Sequence, residues 1–186
     1  MNLKIMKKIL GIGLLSLSVL LTACSSDEND KNDNNNAVSA TINGTEWNAT
    51  KINSVTLIKV KSENQQRFDI NIQDNAQMLS LACVSELTTA DAMPLKAYNF
   101  IEDIEDMDAL FINTYLVDGN TYTEHFVETG KLTITSMDAA KKTVSGTFSF
   151  TSKKVGTLQT KVKTPEVFEV KNGVFTNLSY TVVTQP

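Results

Sequence analysis

Phe68, Ile70 and Ile72 alternate with Asp69, Asn71 and Gln73, and this period of two recurs along most of the chain. Successive side chains point to opposite faces in an extended strand, so the pattern specifies a half-buried β-strand and excludes an amphipathic helix there. Similar runs occupy residues 55–61, 78–84, 111–117, 122–127 and 132–136, and Val144, Gly146, Phe148 and Phe150 share one face. Residues 167–170 and 174–183 form a last pair, joined at Asn172-Gly173, a dipeptide that favours a two-residue hairpin turn. Asp74-Asn75 and Asp118-Gly119 mark further turns, and residues 138–142 a longer one. The expectation is an all-β domain, an antiparallel β-sandwich or barrel of about 8–10 short strands, mostly connected as hairpins or a meander. Residues 88–110 break the alternation and read as a long loop with a helical turn at residues 89–93.

The first 23 residues do not belong to that domain. Lys4, Lys7 and Lys8 give a basic start, and residues 9–21 carry no charge. As a helix that run spans about 20 Å, short of a bilayer core of roughly 30 Å, so it reads as a signal-peptide core and not a membrane span. Leu21-Thr22-Ala23-Cys24 follows and closely resembles the bacterial lipobox. The resemblance implies cleavage before Cys24, diacylation of its thiol and acylation of the new amino terminus, enough lipid for stable membrane anchoring. Cleavage removes three lysines, leaving 14 bases against 21 acids, a net charge of −7. It also leaves Cys83 as the only cysteine besides the acylated one. No intrachain disulfide is then available, and Cys83 reads as a buried small hydrophobe.

Residues 25–36 read SSDENDKNDNNN, with four acids, five asparagines and nothing apolar. Such a segment buries too little surface to fold and acts as a flexible tether. Asp30, Asn32 and Asn34 imitate the start of a calcium loop, but Asn35 stands where glycine is needed and Thr41 where glutamate is needed. The organisation is therefore a cleaved signal peptide at 1–23, an acylated cysteine and tether at 24–36, and a single all-β domain at 37–186. The acids in Ser25-Ser26-Asp27-Glu28 resemble the signal that sends Bacteroidetes lipoproteins to the outer face of the outer membrane, which favours surface display over a periplasmic location.

Three segments together resemble a family of small Bacteroidetes all-β lipoproteins of unknown function. They are residues 40–47 (ATINGTEW), residues 132–135 with 143–150 (LTIT, then TVSGTFSF), and residues 170–175 with Leu178-Ser179-Tyr180. They span the domain from end to end, although residues 85–113 carry no part of the likeness. The resemblance implies a surface or periplasmic all-β lipoprotein and no particular activity. Each segment also has a plain structural reading: Gly44 and Gly146 for backbone geometry, Trp47, Phe148 and Phe150 for core volume.

Catalytic signatures are scarce. The chain lacks a zinc-helix motif, a Gly-x-Ser-x-Gly elbow, a phosphate loop and a Cys-x-x-Cys pair. His125, the single histidine, reads as a surface or satisfied core residue rather than a catalytic base. Glu102, Asp103, Glu105, Asp106 and Asp108 place five carboxylates within seven residues, a weak calcium candidate beside the simpler reading of a solvated run. No cofactor is expected beyond the lipid on Cys24. Tyr115 and Tyr122 flank the Asp118-Gly119 turn and are candidates to present rings to a ligand, with core or rim packing the plainer reading. The excess of acids over bases argues against nucleic acid. What the sequence supports best is a lipid-anchored, monomeric, non-catalytic module that binds a glycan or protein of the envelope or its surroundings. The alternatives are a structural subunit that donates or pairs its last strand, residues 174–183, and a polymer-acting hydrolase.

Overall fold

The alternation at Phe68, Ile70 and Ile72 becomes a strand in which those three side chains are fully buried while their neighbours stay partly exposed. The computed structural model describes residues 38–100, 108–155 and 164–186. Among the described residues twelve strands form two six-stranded sheets. The first runs in the order β2 (Thr45–Asn48), β1 (Val38–Ile42), β11 (Val167–Ser179), β10 (Thr143–Lys154), β9 (His125–Asp138) and β6 (Ala97–Phe100). The second runs β12 (Thr181–Gln185), β3 (Lys51–Val60), β4 (Gln65–Gln73), β5 (Gln77–Glu86), β7 (Ala109–Val117) and β8 (Asn120–Tyr122). Both sheets keep two free edges, so they stack as a sandwich and do not close into a barrel. Their inner faces share one core, in which the Phe111 and Phe150 rings stack across the sheets at 5.0 Å. Cys83 lies fully buried in it as a free thiol, and burial pushes its ionisation well up. No helix among the described residues is long and apolar enough to cross a membrane.

Turn chemistry explains which connections reverse the chain. A two-residue type I′ hairpin needs positive φ at both central residues. Asn43-Gly44 (φ 47 and 81) and Asp118-Gly119 (φ 50 and 75) meet that condition and close the β1–β2 and β7–β8 hairpins. At Asn172-Gly173 only Asn172 is left-handed, with φ 51. The expected hairpin there is absent: β11 runs straight through, and the extra residue becomes a β-bulge against both β1 and β10. Gly173 is required for a different reason. A Cβ at that position would lie 2.5 Å from the Phe148 carbonyl oxygen.

Three further expectations change. Residues 174–183 are not one strand, because the chain leaves the first sheet at Tyr180 and continues in the second as β12, parallel to β3. Val174 and Phe175 therefore lie between β1 and β10, Leu178 and Ser179 pair with β10, and β12 forms an edge of the second sheet. Residues 122–127 are likewise divided between sheets, β8 ending at Tyr122 and β9 starting at His125. Finally, residues 89–93 form no helix, and the stretch read as a long loop contains β6.

That stretch crosses from the second sheet to the first and is held by side chains of β3 and β4 and of the β9–β10 and β11–β12 connections. The Lys59 ammonium donates to the carbonyls of Thr89 (3.4 Å) and Ala90 (3.1 Å) and to the Asp91 carboxylate (3.2 Å). Lys142 reaches the other Asp91 oxygen at 2.9 Å, and these two ammonium groups hold the Asp91 carboxyl below its ordinary range. Fully buried Gln66 donates to the Ala92 carbonyl at 3.1 Å, and the Tyr180 hydroxyl donates to the Asp91 carbonyl at 2.6 Å.

Gly146 is the tightest point of the first sheet. A Cβ there would collide with the Thr133 carbonyl oxygen and lie 2.5 Å from the Phe175 ring. Gly146→Ala is expected to cost about 1–3 kcal/mol. Thermal unfolding followed by circular dichroism checks this, with exposed Thr147→Ala beside it as a control expected to stay within about 0.5 kcal/mol.

Candidate functional site

The outward positions of the first sheet are mostly polar, with Phe126 on β9 and Val167 and Val174 on β11 as exposed apolar exceptions. β9 presents Thr129, Lys131, Thr133 and Thr135, and β10 presents Ser145, Thr147, Ser149 and Thr151. These residues alternate with buried Leu132, Ile134, Val144, Phe148 and Phe150, so the pleat that builds the core also builds this face. Pairing sets the rows: Thr129, Thr151 and Glu169 lie side by side, and Asn99, Lys131 and Ser149 form the next row. Between them runs an open depression of about 520 Å³, lined by the outward residues Asn99, Thr129, Lys131, Ser149, Thr151 and Lys171 together with Gly130, Phe150, Val170 and Phe100, the last packed against the core. The face carries both charges. Lys171 pairs with Glu169 at 2.8 Å, and Lys153 lies 3.9 Å from Glu128.

The residues singled out by sequence do not converge on one place. Cys24, Glu102, Asp103, Glu105 and Asp106 lie outside the described residues. Asp108 is described, and its carboxylate accepts from the Asn99 backbone N–H and from Lys96 at 3.0 Å, tying β6 to the start of β7. No group of three or more His, Cys, Asp or Glu among the described residues is placed to hold a metal ion. Tyr115 and Tyr122 face each other across the β7–β8 ladder. Tyr115 turns into the space between the sheets, with its ring 5.8 Å from His125 and 6.1 Å from Phe168, and Tyr122 is half-buried.

Around Tyr115 lies a buried polar layer that periodicity alone did not reveal. Asn113 and Ser152 are fully buried, and Glu124, His125 and Thr164 nearly so. Asn113 is the inward residue between Phe111 and Tyr115 on β7, and Ser152 is the next inward residue after Phe150 on β10. The Phe111–Phe150 stack therefore places both in adjoining positions of the same end of the core. Thr164 donates to Glu124 at 2.5 Å. His125 Nε2 lies 2.7 Å from the Pro165 carbonyl, which can only accept, so Nε2 carries the proton. His125 Nδ1, Ser152 Oγ, the Tyr115 hydroxyl and the Asn113 amide have no hydrogen-bond partner among the described residues. A buried polar group left without a partner costs about 1–3 kcal/mol. Ser152, His125 and Glu124 are each enclosed, at 0, 3 and 2% exposure. The signal that marks the layer is compositional: Asn113 and Ser152 occupy inward strand positions that Phe111 and Phe150 predict to be apolar.

No family model, curated protein or solved structure matches the chain.

Burial and the nearby Glu124 carboxylate push the Tyr115 hydroxyl up to about 12. Unfolded tyrosine ionises near 10. Between these values the unfolded chain has lost the proton that the native state retains, so stability falls as pH rises from 10 to 12. Tyr115→Phe removes an unpartnered hydroxyl along with that dependence. It is expected to stabilise the domain at neutral pH by about 1 kcal/mol, roughly 2–4 °C in Tm, and to flatten the alkaline decline in melts run at stepped pH.

Proposed function

We propose that this protein is a lipid-anchored lipoprotein of the cell envelope, displayed on the outer membrane, and that it works as a non-catalytic binding module. Its resemblance to small Bacteroidetes lipoproteins belongs to the same reading. The anchor rests on Leu21-Thr22-Ala23-Cys24, and the acids that follow favour the outer face. The single observation that carries the binding half is the open depression of about 520 Å³ on the first sheet, where Asn99, Thr129, Lys131, Ser149, Thr151 and Lys171 meet Phe100, Gly130, Phe150 and Val170. A rigid sandwich supplies the preorganised surface that binding needs. An enzyme would place titratable groups in an accessible cleft, whereas His125 and Ser152 sit inside the core.

Cys24→Ala is expected to move the protein from the membrane to the soluble fraction, and protein that stayed membrane-bound would remove the anchor. Protease treatment of intact cells is expected to destroy the domain while a periplasmic control survives. Protection that ends only on lysis would place the domain inside the envelope.

A further inference from the structure

We propose that β12 is a docking edge whose partner is β12 of a second copy of this chain. The two strands pair antiparallel across a two-fold axis at Val183 and join two six-stranded sheets into one. This goes beyond the binding-module reading and does not depend on what the first sheet binds. The sandwich has four sheet edges, β2 and β6 in the first sheet and β12 and β8 in the second. An open edge is a template for any strand, so proteins blunt their edges with short strands, charges or covering chain. Three of the four edges are blunted in these ways. β8 has only three residues, and β2 has four with Glu46 among them. On β6 the Asn99 backbone N–H donates to the Asp108 carboxylate, and its carbonyl accepts from the Asp108 N–H at 3.2 Å, so the outer side of that strand is already occupied.

β12 carries none of these devices. Thr181, Val182, Val183, Thr184 and Gln185 include no charge, proline or glycine, and they make the longest of the four edges. The ladder to β3 runs from Thr181–Thr56 to Gln185–Val60 without a bulge, and among the described residues β12 pairs with no other strand. The template is also fixed in place: half-buried Val182 packs on the core, and the Thr181 and Thr56 hydroxyls lie 3.5 Å apart on the outer face. Val183, opposite buried Ile58, stays 41% exposed. The charges of Lys61 and Glu63 lie past the Gln185 rung. A second copy fits because the segment is complementary to itself. Residues directly opposite in an antiparallel pair share a face, so a two-fold axis normal to the sheet passes through one residue. At Val183 that axis sets Val183 against its own copy, Val182 against Thr184 and Thr181 against Gln185. All five positions then pair, no like charges meet, and both exposed valines are covered.

The test uses the full chain in its native membranes, with single cysteines oxidised and the unsubstituted chain, which keeps Cys24 and Cys83, as background. Opposite residues of an antiparallel pair have Cα atoms about 4.5–5.5 Å apart, within reach of a disulfide. Val183→Cys is expected to form a covalent dimer at least about tenfold faster than Val174→Cys, a position of equal exposure on the first sheet. Thr181→Cys alone is expected not to link, because its copy lies about 14 Å away, four residues along the strand. Thr181→Cys chains co-expressed with Gln185→Cys chains are expected to link to each other. In detergent the unsubstituted protein is expected to sediment as a dimer, and Val183→Lys, which opposes two ammonium groups on the axis, as a monomer with unchanged circular dichroism. A monomeric parent, Val183→Cys that links no faster than Val174→Cys, or a dimer that persists in Val183→Lys would overturn the proposal. So would Thr181→Cys linking to its own copy, or Val183→Cys linking to a different protein in place of a second copy.

Discussion

A buried ammonium must find oxygen partners or leave the interior, and Lys59 finds three on a single passing segment. That constraint fixes the crossing between the sheets. With Gln66 gripping the Ala92 carbonyl and Lys142 and Tyr180 closing on Asp91, the chain has one path from β5 to the far edge of the first sheet. β6 is laid there as the outermost strand beside β9. Asn99 and Phe100, which complete the lining of the depression, belong to that strand, so its shape depends on the crossing that Lys59 holds. Lys59 is the enclosed member of this set, whereas Asp91 and Lys142 reach solvent, so removing the oxygens around Lys59 costs more than an exposed ion pair would suggest.

The strands were legible wherever the pattern of two was unbroken. Phe68, Ile70 and Ile72 on β4, and Val144, Phe148 and Phe150 on β10, point inward as their spacing requires. β11 shows why the rest was harder. Its inward residues are Phe168 and Val170, then Gly173 and Phe175, then Leu178 with Tyr180 beyond, and the phase shifts by one at each step. Each shift falls on a left-handed asparagine, Asn172 and then Asn177. Asparagine tolerates that conformation in turns and in bulges alike, so Asn-Gly alone does not separate a reversal from a kink. What separates them is the glycine, which adopts positive φ at Gly44 and Gly119 and stays extended at Gly173.

The polar half of the alternation was equally visible, but its use was not. Thr129, Lys131, Ser149 and Thr151 look like ordinary solvent-facing residues until strand order brings β9 and β10 together with β6 and β11. The conspicuous sequence features lie elsewhere, at the Asp118 hairpin, where Tyr115 packs inward, and in the acidic run, whose one described member is committed to β6. The buried layer of Asn113, Ser152 and His125 was hidden for the opposite reason: small polar residues on a strand are assumed to face water. Cys83 was easier, because its surroundings are apolar on both sides.

The central claim is that a rigid sandwich is tethered to a membrane by lipid on Cys24. Intact-mass spectrometry of the protein extracted from membranes tests it most directly. The expected mass is that of a chain starting at Cys24 and carrying acyl chains on its thiol and amino terminus. A chain that retained residues 1–23, or one cleaved elsewhere with an unmodified cysteine, would contradict it.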